Sequence, residues 1–314
     1  MKLFNRTKRL IKTSLLKLIL RFKKFDITNS IIIFSEARGG STWLMELLSK
    51  LPRTCINWEP LHTKKGVVPS GYKFGTRPFI SPDDKNIIYY SIFKKIFTYQ
   101  IYNNWTIKYL SIFSLIKSKY VITKFVRGNL LTPYILNNFN FKTPPIVLLR
   151  HPIDTCQSQL KAFDNKDINA KTVKIPDCIN NERYVRHIDF INELETKLEK
   201  KIAMWCLNNC PLIEQLDQLN VHIIYYSDLV LNPHMELKKL FDSYNFAEDF
   251  DNINSLNLRK ASKTDFNDEL KVDPEEQLNK NFNKLDSYTK QKIQKIFDHF
   301  DLNLYSAYSP IPQK

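Results

Sequence analysis

What most constrains the fold is the stretch from Ile31 to Leu48, Ile-Ile-Ile-Phe-Ser-Glu-Ala-Arg-Gly-Gly-Ser-Thr-Trp-Leu-Met-Glu-Leu-Leu. Four apolar, mostly β-branched residues in a row, Ile31 to Phe34, mark a strand buried on both faces, as in a parallel sheet. Arg38, Gly39 and Gly40 follow, then Ser41 and Thr42, then Trp43, Leu44, Leu47 and Leu48 at helical spacing. Glycine permits a turn with positive φ, and Ser or Thr is expected to cap the next helix. Strand, glycine turn and helix start together present backbone N–H groups at the positive end of a helix dipole, which suits a phosphate or sulfate. An ordinary strand–turn–helix unit is the competing reading. The nucleoside-triphosphatase loop is a poor match, because no lysine precedes Ser41 and the loop's cation, Arg38, comes before the glycines.

Three more apolar runs read as strands: Tyr120 to Lys124, Ile146 to Leu149 and Val221 to Tyr226. Pro152 and Asp154 open a helix that carries Ser158 and ends near Lys161 and Phe163. A long helix is expected from about Tyr184 to Asn209 and a last one from about Asp286 to Phe300. Strands alternating with helices predict an α/β fold of three layers, a central parallel sheet flanked by helices, with right-handed crossovers. Ligands of such sheets sit beyond the carboxyl ends of the strands. Arg38 to Thr42, Lys124, Arg127, Arg150, Ser158 and Tyr226 all fall there. From His62 to Lys119 the pattern is weak, with loop-forming Gly and Pro followed by many aromatics, which are assigned to helix core ahead of a stacking surface.

The expected domain plan is a basic amphipathic arm over residues 1–27 and a single α/β domain over 28–308, with 62–119 as an acceptor-side insertion. The chain of 314 residues carries a formal net charge of +15 with 43% hydrophobic residues, so it is a folded chain suited to an anionic partner. Between Met1 and Phe25 lie nine Lys or Arg and no acid. Ile11, Leu15, Leu18, Phe22 and Phe25 form one helical stripe there, which either lies on an anionic membrane or packs on the domain. No apolar run is long enough to span a bilayer or form a signal-peptide core, so the expectation is a cytoplasmic protein with contact to the inner membrane surface as one alternative. The five cysteines are odd in number and scattered, which fits reduced core thiols, and no metal site is expected.

These residues resemble a family. Arg38-Gly-Gly-Ser-Thr-Trp43 is similar to the 5′-phosphosulfate loop of sulfotransferases that use 3′-phosphoadenosine 5′-phosphosulfate. Val147-Leu-Leu-Arg150-His-Pro-x-Asp154-x-x-x-Ser158 resembles their 3′-phosphate motif. Tyr226-Ser-Asp-Leu229 with Asn232-Pro233 is similar to the segment whose tyrosine approaches the adenine. Leu258-Arg259-Lys260 resembles the late loop that covers the 3′-phosphate, with Ala261 where the family has glycine. Trp58-Glu59-Pro60-Leu61 resembles a segment of the carbohydrate-type members. Lys124-Phe125-Val126 stands where the cytosolic enzymes have Lys-Thr-His, so their histidine base is missing.

The resemblance implies a P-loop-like nucleotide-binding fold and sulfuryl transfer to a hydroxyl. The donor would be 3′-phosphoadenosine 5′-phosphosulfate, the product adenosine 3′,5′-bisphosphate, and no metal would be needed. Gly39 to Trp43, Arg38, Arg150, Ser158, Tyr226, Arg259 and Lys260 would bind the nucleotide. Arg38 and Lys124 would stabilise charge, and Glu59 is placed ahead of His62 as the base. The partners implied are a nucleotide donor and a glycan or glycolipid acceptor, with no nucleic acid. The alternatives are a kinase or nucleoside triphosphatase, and a basic protein that binds nucleic acid or membrane.

Overall fold

In the computed structural model, which describes residues 2–163, 173, 175, 177–246 and 273–313, the centre is a sheet of five parallel strands. They are β1 (Ser30–Ser35), β2 (Thr54–Trp58), β3 (Tyr120–Phe125), β4 (Ile146–Leu149) and β5 (His222–Tyr225), in the order β2-β3-β1-β4-β5. The strand read from the opening apolar run is the central one. Its alternate residues go to opposite faces: Ile31 and Ile33 to one core, Ile32 and Phe34 to the other. All four are fully buried, at roughly 1.5–3 kcal/mol each, so a register slip in β1 would be costly.

The helices in chain order are α1 (Lys2–Phe22), α2 (Ser41–Leu48), α3 (Ile87–Phe97), α4 (Ile112–Lys117), α5 (Thr132–Asn138) and α6 (Pro152–Ala162). There follow α7 (Glu182–Glu193), α8 (Lys197–Ile213), α9 (Tyr226–Leu231), α10 (Pro233–Ser243), α11 (Pro274–Asn279) and α12 (Ser287–His299). Leu44 and Leu48 of α2 with Leu237, Leu240 and Phe241 of α10 cover one face of the sheet. The other face is covered by Phe93 and Phe97 of α3 and Tyr134 and Ile135 of α5. These aromatics are therefore core, as the periodicity indicated. Residues of α6, α7, α8 and α12 build a further apolar cluster, in which Cys156, Cys206 and Cys210 are buried thiols. Burial raises the Cys156 thiol to about 12, so it is inert rather than reactive.

One strand went unread and three expectations need correction. The strand β2 has no clear sequence signal: it is an edge strand with one aliphatic residue, Ile56, and a buried polar Asn57 that donates to the Ile96 carbonyl at 3.1 Å. The long helix from Tyr184 is two helices. Thr196 stops it with a capping box, accepting from Glu199 N at 3.2 Å while Glu199 Oε2 accepts from Thr196 N at 3.4 Å. Gly40, not Ser or Thr, sits before α2, with φ 96° and no side-chain cap. Tyr226 ends no strand; it is the first residue of α9.

No described helix is long and apolar enough to cross a membrane. In α1 the packed face is Leu16 and Leu20, which join Phe25, Tyr99 and Leu115. The expected stripe of Ile11, Leu15, Leu18 and Phe22 is exposed, and only its last member, Phe25, is buried.

Candidate functional site

The turn after β1 is shaped by crowding. Gly39 N donates to the Glu36 carbonyl at 2.9 Å, and a Cβ on Gly39 would fall 2.4 Å from Ser35 Oγ. A Cβ on Gly40 would fall 2.7 Å from the Tyr226 ring, and its φ of 96° is left-handed. Arg38 is also left-handed, at φ 67°. Left-handed residues at 38 and 40 turn successive N–H groups toward one side, a concavity fit for an oxyanion at the start of α2.

The structure brings the distant motif residues to that turn. Arg38 Nε donates to Ser158 Oγ at 3.0 Å. Arg150, at the end of β4, donates to the Arg38 carbonyl at 2.8 Å and pairs with Asp154 at 2.8 Å. Its guanidinium lies 4.2 Å from the centre of the Tyr226 ring. Asp154 also accepts from Asn281, and Gln277 reaches the Tyr226 hydroxyl at 3.4 Å. Arg150 and Ser158 hold this geometry because α6 begins cleanly. Pro152 occupies its first turn, and His151 Nδ1 accepts from Ile153 N at 3.2 Å.

On the other side of the turn lies Lys124, 1% exposed, in register with Ile33 of β1 and Trp58 of β2. Its ammonium bonds Glu59 Oε1 at 2.9 Å and Thr42 Oγ1 at 2.9 Å and lies 3.7 Å from the centre of the Trp58 ring. Burial lowers its pKa and the Glu59 carboxylate only partly restores it. Thr42, expected to cap α2, thus serves as an acceptor for Lys124 instead. A residue before proline ordinarily takes an extended backbone, and Glu59 precedes Pro60. Its φ is 40°, since residues 59–62 form a turn closed by His62 N to the Glu59 carbonyl at 3.0 Å. A left-handed residue before proline is strained by on the order of 1–3 kcal/mol.

His62 stands 4.9 Å from the centre of the Trp105 ring, and its Nδ1 accepts from Lys64 N at 3.2 Å and Lys65 N at 3.3 Å. Burial lowers its pKa, so the ring is neutral near pH 7 with its proton on Nε2. Ser41 is buried at the head of α2, and Trp43 packs against the core behind it. Arg259 and Lys260 lie outside the described residues.

Sequence reasoning missed one buried pair beside this turn. Glu36, buried directly after β1, is held by Arg77 in a two-point ion pair at 3.0 and 2.6 Å, with Asn209 at 3.5 Å. Burial pushes the Glu36 carboxyl up, but the Arg77 guanidinium overrides it and the net shift is downward. An acid directly behind an all-apolar strand was the available signal for Glu36. Arg77, inside a Gly- and Pro-rich loop, offered none.

No family model matches the chain, and no curated protein matches it in sequence. Solved structures do resemble it. The sulfotransferase domain from the curacin biosynthetic pathway is 16% identical with a TM-score of 0.42, covering 86% of this chain and 96% of that one. The sulfotransferase domain of the Synechococcus PCC 7002 olefin synthase is also 16% identical with a TM-score of 0.42, covering 89% and 98%. Mouse sulfotransferase SULT7A1 complexed with PAP is 13% identical with a TM-score of 0.40, covering 90% and 88%. Likeness this distant carries no chemistry, which has to come from the residues.

Proposed function

We propose that the chain is a sulfotransferase that moves a sulfuryl group from 3′-phosphoadenosine 5′-phosphosulfate to a hydroxyl of a carbohydrate or glycolipid. The observation that carries this is the convergence of Arg38, Arg150 and Ser158 on the Gly39–Gly40 turn, with the Lys124–Glu59 pair on its other side. Arg150, Ser158 and the turn amides are suited to hold the donor's phosphates. Gly40 is needed in that turn because its φ is left-handed and a Cβ there would strike the Tyr226 ring. The donor supplies the activated sulfuryl group; the protein supplies position and charge.

Glu59 takes the acceptor's proton as the new oxygen–sulfur bond forms. The old sulfur–oxygen bond breaks, and its electron pair leaves on the phosphate. Arg38 and Lys124 stabilise that developing charge. Glu59 is favoured over His62 because the neutral His62 has Nδ1 already engaged by two amides and its proton on Nε2, a donor rather than a base. A kinase reading is opposed by the absence of a lysine before Ser41. Calorimetry with adenosine 3′,5′-bisphosphate, ATP and single-stranded RNA side by side tests the class: the bisphosphate alone should bind tightly. Arg150→Ala should weaken that binding more than tenfold, through loss of a charge-assisted contact of roughly 1.5–3 kcal/mol. Unchanged affinity removes Arg150 from the donor site.

The amino-terminal arm is suited to an anionic bilayer. Ile11, Leu15, Leu18 and Phe22 are exposed on α1, and Phe113 and Ile116 are exposed on α4 beside it. Lys23 Nζ ties the two helices by donating to the Ile116 carbonyl at 2.8 Å. Apolar side chains at this density, in a segment with nine cations and no acid, match a surface-lying helix. Phe22→Glu with Phe113→Glu should abolish sedimentation with phosphatidylserine vesicles and leave bisphosphate affinity as it was. Sedimentation unaffected by both changes refutes the bilayer contact.

A further inference from the structure

The segment that begins with α11 is remote in sequence from the turn after β1, yet two of its amides grip the surroundings of Arg150. Asp273 starts the helix as its cap, accepting from Glu275 N at 3.0 Å and Glu276 N at 3.3 Å. Gln277 Nε2 donates to the Tyr226 hydroxyl at 3.4 Å, and Asn281 Nδ2 donates to Asp154 Oδ1. Both partners touch Arg150: the Tyr226 ring centre lies 4.2 Å from the guanidinium, and the Asp154 carboxylate pairs with it at 2.8 Å.

Asn281 is itself held in place. Its carbonyl accepts from Gln157 Nε2 of α6 at 3.3 Å, and the ring of the next residue, Phe282, lies 4.6 Å from that of His151. Between this segment and Arg150 is a cavity of about 10 Å³, lined by Leu278, Phe282 and Tyr305 among others. That is room for no more than a single water. Asn281 is buried as well, so it acts through Asp154 and not on a ligand.

What it does there shows in the shape of the ion pair. Arg150 Nε and Nη2 both bond one oxygen, Asp154 Oδ2, at 3.0 and 2.8 Å. A carboxylate facing a guanidinium otherwise favours a two-point fork, one oxygen to each nitrogen. Asn281 takes Oδ1 and keeps the pair on a single oxygen. Its own Oδ1 is buried with no hydrogen-bond partner among the described residues, an arrangement that stability alone disfavours. We infer that Asn281 is a positioning residue of the donor site: by holding Asp154 Oδ1 it limits Asp154 to a one-oxygen contact and so sets the Arg150 guanidinium for the donor's phosphate. This rests on the transfer reading above and adds to it a residue outside every motif. Without Asn281, Asp154 is able to close the fork on Arg150 in competition with phosphate.

Adenosine 3′,5′-bisphosphate, titrated by calorimetry, is the probe. Asn281→Ala should weaken its binding about threefold to tenfold. Asn281→Asp keeps the shape but sets a second carboxylate against Asp154, and should weaken binding further. The effect should run through Asp154, so in an Asp154→Asn background Asn281→Ala should change affinity by less than about twofold. Asp154→Asn combined with Asn281→Asp exchanges donor and acceptor at the same net charge, and should recover most of the loss seen in Asn281→Asp. Affinity unchanged in both single variants at Asn281 overturns the inference, whatever happens to the melting temperature, because the residue is then structural only. An equal loss with and without Asp154 overturns it too. Should Asn281→Asp fail to fold, Asn281→Ala with and without Asp154→Asn gives the same decision. If wild type does not bind the bisphosphate, the transfer reading fails. Inorganic pyrophosphate, which an oxyanion site at this turn still takes, then carries the same cycle and decides on Asn281 separately.

Discussion

The two sides of the turn after β1 are built on different principles. On the side proposed to hold the nucleotide, backbone geometry does most of the work. Gly39 and Gly40 admit the turn, Arg150 is neutralised by Asp154 at 2.8 Å, and Asp154 is steadied by Asn281. On the other side, proposed for the acceptor, long side chains from segments far apart in sequence meet. Lys124 bridges Glu59 and Thr42, and Arg77 clasps Glu36. A site for an invariant nucleotide suits the first construction. The second suits a part that changes with the substrate, because side chains can be exchanged without disturbing the sheet.

The largest expected effect divides the two sides. Glu59→Gln keeps a hydrogen-bond acceptor for Lys124 and removes the proposed base, so turnover should fall by ~10²–10⁴. Bisphosphate affinity should barely move. If affinity falls together with turnover, the sides are not separable; if turnover survives and His62→Ala is inactive, the histidine is the base.

That division also explains what the sequence disclosed. The central strand, the glycine turn and the start of α6 depend on residues close together in the chain, so spacing exposes them. Arg38, Arg150 and Ser158 were legible for that reason, although the Arg38–Ser158 bond spans 120 positions. The acceptor side depends on tertiary pairing. Nothing near Arg77 in sequence points to Glu36, and the edge strand β2, which carries Trp58 to Lys124, has no alternation to read. The positive φ of Glu59 was missed because the turn over residues 59–62 overrides the usual preference before proline.

The next effect tests how far the nucleotide side relies on a buried neutral group. His151 caps α6 through Nδ1 and donates from Nε2 to the Ser306 carbonyl at 3.1 Å. Burial lowers its pKa to about 4, against an ordinary value near 6.5. The folded form therefore binds its proton less readily than the unfolded chain. It contributes stability above about pH 6.5, and that contribution is lost as pH falls toward 4, at most about 3 kcal/mol in all. His151→Asn keeps a capping oxygen and removes the titration. Its urea-unfolding free energy should be lower at pH 7 yet fall less steeply between pH 6.5 and 4. An unaltered slope would mean that the acid sensitivity lies elsewhere.

The smallest effect sharpens the account of the nucleotide side itself. Ser158 Oγ accepts from Arg38 Nε at 3.0 Å, which leaves the hydroxyl proton free to point at a phosphate oxygen. If the serine mainly steadies Arg38, its loss removes one ordinary hydrogen bond, roughly 0.5–1.5 kcal/mol. Ser158→Ala should then weaken bisphosphate binding by about threefold to tenfold. Arg150→Ala should cost more, because it removes a full charge. Ser158→Thr keeps the hydroxyl and should bind nearly as wild type does. A loss beyond a hundredfold in Ser158→Ala would make the hydroxyl a principal phosphate ligand, ranked with Arg150. No loss at all would leave the Arg38–Ser158 bond as a feature of the unliganded turn only, and the nucleotide side would then rest on the glycines and Arg150.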